Sequence, residues 1–142
     1  GSRNNTSRAS SELSHWPVQI RLVPPKADFL KGADLFIVSD CAAIAYPDLH
    51  RDFIKGRAVL IGCPKFDDPY EYTRRFSDIF KTSNIKSVVV LVMQVPCCQG
   101  FPAMVRQSME RAGRNVPMET IVINSRGEIM GREKSGTAFT TA

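Results

Sequence analysis

The sequence predicts a three-layer α/β sandwich built on a mostly parallel sheet of about five strands. Short apolar runs rich in β-branched residues recur along the chain, and segments with helical spacing alternate with them. One run, SVVVLVM at 87–93, is apolar on both faces. A strand of that kind needs helices on both sides, which is the situation of a central strand in a parallel sheet.

The elements follow in order. Residues 1–14 are rich in Ser, Asn and Arg, with Gly1-Ser2 reading as a cloning remnant, and form a disordered tail or linker. The domain proper is expected over 15–130. Its strands are expected at 18–23, 35–38, 58–61, 87–92 and 120–123. One helix opens at Asp67-Asp68-Pro69, carries Tyr72, Phe76, Ile79 and Phe80 on one face, and ends near Ser83. A second begins after Gly100, carries Met104, Val105, Ser108, Met109 and Ala112 on one side, and stops at Gly113. Shorter helical pieces fit 26–31 and 47–55. Residues 131–142 are polar and Gly/Thr-rich and are expected to be a flexible tail. Such an alternation is Rossmann-like or flavodoxin-like.

At 142 residues and 43% hydrophobic, the chain can bury a core without disulfide staples. No run approaches the roughly 18 apolar residues of a membrane span, and no secretory leader pattern opens the chain, so a soluble, cytoplasmic protein is expected. The net charge of +5 comes from 19 Lys+Arg against 14 Asp+Glu. The basic residues are scattered and do not interleave with aromatics, which argues against nucleic acid. A small-molecule-binding domain with incidental thiols ranks last, since neither G-x-G-x-x-G nor a Walker sequence is present to support a nucleotide.

The chemistry lies in the cysteines. Cys41, Cys63 and the vicinal pair Cys97-Cys98 each follow an expected strand. In a parallel sheet the carboxyl ends of the strands share one edge, where open α/β proteins bind ligands. Glycines and prolines in Gly62-Cys63-Pro64 and Pro96-Cys97-Cys98-Gln99-Gly100 shape close turns around them. Four soft thiolates suit an iron–sulfur cluster or zinc, and the vicinal pair disfavours a zinc ribbon. His15 and His50, the two histidines, read as the start of the domain and a surface or capping residue.

Three segments carry a resemblance: SHWPVQIRLVPP, ADLFIVSDCAAIAYPDLHRDFIKGRAVLIGCPKFDD and IKSVVVLVMQVPCCQG. They resemble the carboxyl-terminal domain of ferredoxin-like 4Fe-4S iron–sulfur proteins of anaerobic microbes, where a ferredoxin module precedes such a domain. The most specific pieces surround Cys41, Cys63 and Cys97-Cys98. Where that family has two glycines after the vicinal cysteines, Gln99-Gly100 stand here, and the ferredoxin module is missing from this sequence. The resemblance implies an iron–sulfur context, with a redox partner protein or a covalently preceding ferredoxin module.

Two chemistries result. In the first, Cys41, Cys63, Cys97 and Cys98 hold a cluster, 4Fe-4S by preference and zinc as the alternative, for electron transfer or redox sensing. In the second, the domain is a thiol-dependent redox enzyme or metal-transfer factor. There Cys97 or Cys98, at a helix amino end that favours thiolate, is the nucleophile, another cysteine resolves the disulfide, and Asp40 accepts a proton.

Overall fold

A computed structural model describes residues 9–135, apart from the side chain of Cys97. The regular elements are β1 (Asp34–Ser39), α1 (Asp40–Ala45), β2 (Ala58–Gly62), α2 (Pro69–Thr82), β3 (Ser87–Met93), α3 (Pro96–Arg111), β4 (Met118–Ile123) and β5 (Ile129–Ser135). A 3-10 turn at Asp28–Leu30 precedes β1, and a π-type turn at His50–Ile54 precedes β2. The sheet order is β2-β1-β3-β4-β5, parallel except for β5.

β3 is central, as its two apolar faces require, with Val88 to Met93 all buried. The chain steps from β1 to β2 in one direction and from β2 across to β3 and β4 in the other. Right-handed crossovers therefore put α1 on one face and α2 and α3 on the other. The aromatic core follows this division. Phe36 of β1 stacks on Phe53 at 5.2 Å, while Tyr72 and Phe76 of α2 meet Phe101 of α3 at 5.9 and 6.3 Å. The three-layer expectation holds.

Two strand expectations change. The run at 18–23 contributes an isolated bridge, Gln19 to Ile61, and then turns back on itself as Leu22 N–H and Val23 N–H donate to the Gln19 carbonyl. It still covers the open edge of β2. Ile20 N–H donates to Ile61 O, Ile61 N–H donates to Val18 O, and Val59 N–H donates to Nε2 of His15 at 2.9 Å. His15 thus closes a sheet edge, stacked on Phe29 at 3.9 Å. Burial holds its pKa below the ordinary value, a shift that the Pro17 carbonyl partly opposes. His50, expected to be a surface or capping residue, accepts from Glu12 N–H at 3.1 Å at the protein surface.

The fifth strand is β5, in place of the tail expected from residue 131. Its residues, IMGREKS, are nearly all exposed and carry no apolar period. It forms because β4 offers an unpaired edge, and it is held by an antiparallel ladder from Met118↔Ser135 to Ile123↔Ile129. An Arg132–Glu119 pair at 3.1 Å crosses the ladder. The Gly127 turn before it presses on α1. Gly127 has φ +80°, and a Cβ there would meet the Ala45 carbonyl. The parts of the expected tails at 1–8 and 136–142 lie outside the described residues. No helix among the described residues is long and apolar enough to cross a membrane.

α3 also starts earlier than expected. Pro96 occupies its first turn, where a fixed φ favours the helix and the missing N–H costs nothing, so Cys97-Cys98 lie inside the helix instead of before it.

Gly62 at the end of β2 and Gly100 inside α3 should respond oppositely to substitution. A Cβ at Gly62 would collide with the Tyr72 hydroxyl and approach Ile20 Cδ1 to 2.8 Å, so Gly62→Ala should cost about 1–3 kcal/mol. A Cβ at Gly100 meets nothing within 4 Å, and Gly100→Ala should stabilise α3 by about 0.5–1 kcal/mol. Urea denaturation of the two variants checks both signs.

Candidate functional site at the carboxyl edge of the sheet

Parallel register brings the strand ends together. Ser39 pairs with Gly62 across β1 and β2, and Val38 pairs with Leu91 across β1 and β3. Connections leave β1 and β3 toward opposite faces of the sheet, so a topological switch point lies between them, the position where such sheets hold ligands. Cys41 stands two residues past β1, Cys63 one past β2, and Cys97-Cys98 in the first turn of α3 after β3. At the same edge, Ser39 Oγ is buried with no hydrogen-bond partner among the described residues. A buried hydroxyl without a partner costs about 1–3 kcal/mol, a cost folds more often accept near functional sites than elsewhere.

The thiols are unequally placed. Cys41 is exposed, Cys63 is half-buried, and Cys98 is 5% exposed within the apolar core. The side chain of Cys97 lies outside the described residues. Among the described residues, no group of three or more His, Cys, Asp or Glu side chains is arranged to hold a metal ion. The sulfur donors have the right softness for iron or zinc, and the thiols of Cys41, Cys63 and Cys98 differ widely in exposure.

Around Cys63 the structure is tightly specified. The Cys63 carbonyl accepts from Phe66 N–H at 3.2 Å and Asp67 N–H at 3.0 Å, which closes the turn after β2. Cys63 N–H donates to the Tyr72 hydroxyl at 2.9 Å, and that hydroxyl donates to Asp67. The neighbouring Asp68 has a different task, capping α2 by accepting from Tyr70 N–H at 2.9 Å. Arg21 reaches Asp67 at 3.5 Å and Glu71 at 3.4 Å. Burial first, and the bond to Asp67 second, hold the Tyr72 phenol protonated far above its ordinary range.

Asp40, at the first position of α1, faces this group electrostatically. Desolvation first and the Asp67 charge second raise its pKa. Beside it an open groove of about 560 Å³ is lined by Asp40, Cys41, Ile44, Ala45, Ser125 and Arg126. A cavity of about 260 Å³ at the amino end of β3 lies on the opposite edge and carries no thiol.

Sequence reasoning found the cysteines and Asp40 but took Tyr72 for a core residue only and Asp67 for a helix-opening acid. The available signal was the doublet Asp67-Asp68, since one helix start uses a single cap and leaves the second carboxylate for other work.

Residues 27–140 match the family described as Rossmann-like domain. A protein of Archaeoglobus fulgidus, named only as an uncharacterized protein, is 38% identical over 118 residues, which is 83% of each chain. No solved structure matches the chain significantly.

The raised pKa of Asp40 has a signed consequence for stability. Its protonated form is favoured in the fold, so stability is lost as pH rises through the unfolded-state value, ordinarily 3.8, toward the higher folded value. Asp40→Asn should therefore raise Tm by roughly 2 °C at pH 7 and leave it unchanged at pH 3. Thermal melts at the two pH values check this.

Proposed function

We propose, for a chain that belongs to the Rossmann-like domain family, a thiol-based redox function centred on Cys63 and the Cys97-Cys98 pair. The observation that carries the proposal is the arrival of three parallel strands at one edge, each followed within five residues by cysteine. A 16-residue helix begins at the vicinal pair, and helix amino ends favour the reactive thiolate.

In this reading a thiolate of the Cys97-Cys98 pair attacks a disulfide of a partner protein and forms a mixed disulfide. Cys63 then resolves it. Two thiols of the domain become one disulfide, and the partner's disulfide becomes two thiols, so the two electrons and two protons balance. Asp40 lies at the same edge as a proton acceptor. Reduced thiols of this kind suit a cytoplasmic protein.

The second reading is an iron–sulfur cluster for electron transfer, with zinc as the alternative metal. The soft donor set and the sequence resemblance to ferredoxin-like iron–sulfur proteins support it, with a ferredoxin module as the natural partner.

One preparation separates the readings. Protein purified without oxygen, titrated against a glutathione redox buffer and mapped by mass spectrometry, is expected to form a disulfide joining Cys63 to Cys97 or Cys98, absent in Cys63→Ser. Failure of Cys63 to enter any disulfide would sink the thiol reading. Stoichiometric iron with acid-labile sulfide would establish the cluster in its place.

A further inference from the structure

The backbone of Cys63 is tied on both sides. Its carbonyl is engaged by the N–H groups of Phe66 and Asp67. Its N–H is engaged by the hydroxyl of Tyr72, a residue nine positions away on the next helix. That hydroxyl donates its own hydrogen bond to Asp67, the residue that closes the turn, so one phenol ties both ends of the Cys63–Asp67 loop. The phenol itself is buried. Tyr72 is 0% exposed, its ring lies 5.9 Å from Phe101 and 6.0 Å from Phe76, and its hydroxyl fills the space where a side chain at position 62 would stand. Phenylalanine would pack the same ring but leave Cys63 N–H and Asp67 without their partner. A buried hydroxyl with both a donor and an acceptor met is not needed for packing alone.

We propose that Tyr72 and Asp67 are the positioning residues of Cys63: the phenol–carboxylate pair holds the loop so that the thiol alone is left to react at the carboxyl edge. The proposal deepens the thiol reading and rests on it for its purpose. Arg21, on the other oxygen of Asp67, orients the carboxylate toward the phenol. No charge on the phenol is involved. Its role is that of a neutral donor and acceptor.

The test is site-resolved alkylation of the reduced full chain with N-ethylmaleimide, read by peptide mass spectrometry as the rate at Cys63 divided by the rate at exposed Cys41. Tyr72→Phe and Asp67→Ala should each raise that ratio roughly fivefold by freeing the loop. Asp67→Asn should restore it to within about twofold of the parent, because an amide oxygen still accepts from the phenol. An unchanged ratio in Tyr72→Phe overturns the proposal. So does a parallel rise at buried Cys98, which would mark general loosening of the core. Should Tyr72→Phe fail to fold, the Asp67→Ala and Asp67→Asn pair decides alone, through the rescue. The measurement uses no redox partner. Failure of the glutathione titration with this result intact would overturn the thiol chemistry and leave the positioning pair standing.

Discussion

Parallel pairing of β1 with both β2 and β3 is the constraint on which the rest of the molecule depends. Parallel strands finish on the same side of a sheet, so the three segments that leave them begin at one edge, whatever their separation in sequence. Crossovers of fixed hand send those segments to opposite faces, and the space between β1 and β3 opens as a result. Had β2 run antiparallel, Cys63 would stand at the far edge from Cys41, and the two could not share one edge of the sheet.

Within that frame a single contact organises the site. Gly62 ends β2 without a side chain, the Tyr72 hydroxyl occupies the vacated volume, and the next backbone N–H, that of Cys63, is its donor. Core packing and loop geometry are joined there. The aromatic cluster of Tyr72, Phe76 and Phe101 fixes where α2 and α3 lie, and the polar tip of its first member fixes the loop that carries the thiol. Tyrosine suits the task because its ring is apolar and its hydroxyl both donates and accepts. The carboxylate of Asp67 completes the set, and its charge adds to desolvation, the larger cause, in raising the pKa of nearby Asp40.

The three described thiols occupy a gradient from solvent to core. Cys41 is exposed, Cys63 is half-buried, and Cys98 packs among apolar side chains. Soft-metal chemistry wants thiolates facing a shared space, whereas stepwise disulfide exchange works with thiols of differing access, one attacking and one resolving. The difference in access suits stepwise exchange, although the residue types serve both chemistries.

By itself the sequence determined the layer architecture, the central strand and the edge at which the cysteines gather. Runs such as SVVVLVM state their burial directly, because a strand apolar on both faces is stable only between two layers. The helix Pro69–Thr82 was equally legible from its proline and its apolar stripe. Tertiary structure alone decided the remainder. β5 has no apolar period to announce it, since an edge strand is held by its neighbour's backbone groups and not by burial of its side chains. The run at 18–23 has the period of a strand, yet it folds back after one bridge, with His15 covering part of the edge that a full strand would have covered. Tyr72 looks in sequence like any aromatic on an apolar helix face, and only the approach of the Cys63 backbone gives its hydroxyl a purpose. Cys98 follows a strand as its position in the sequence suggests, but the helix begins at Pro96, and that start gives Cys98 its burial at the edge of the core. Periodicity records which side chains are buried, whereas which of them meet depends on contacts between elements far apart in the chain, and those form only when the sheet is assembled.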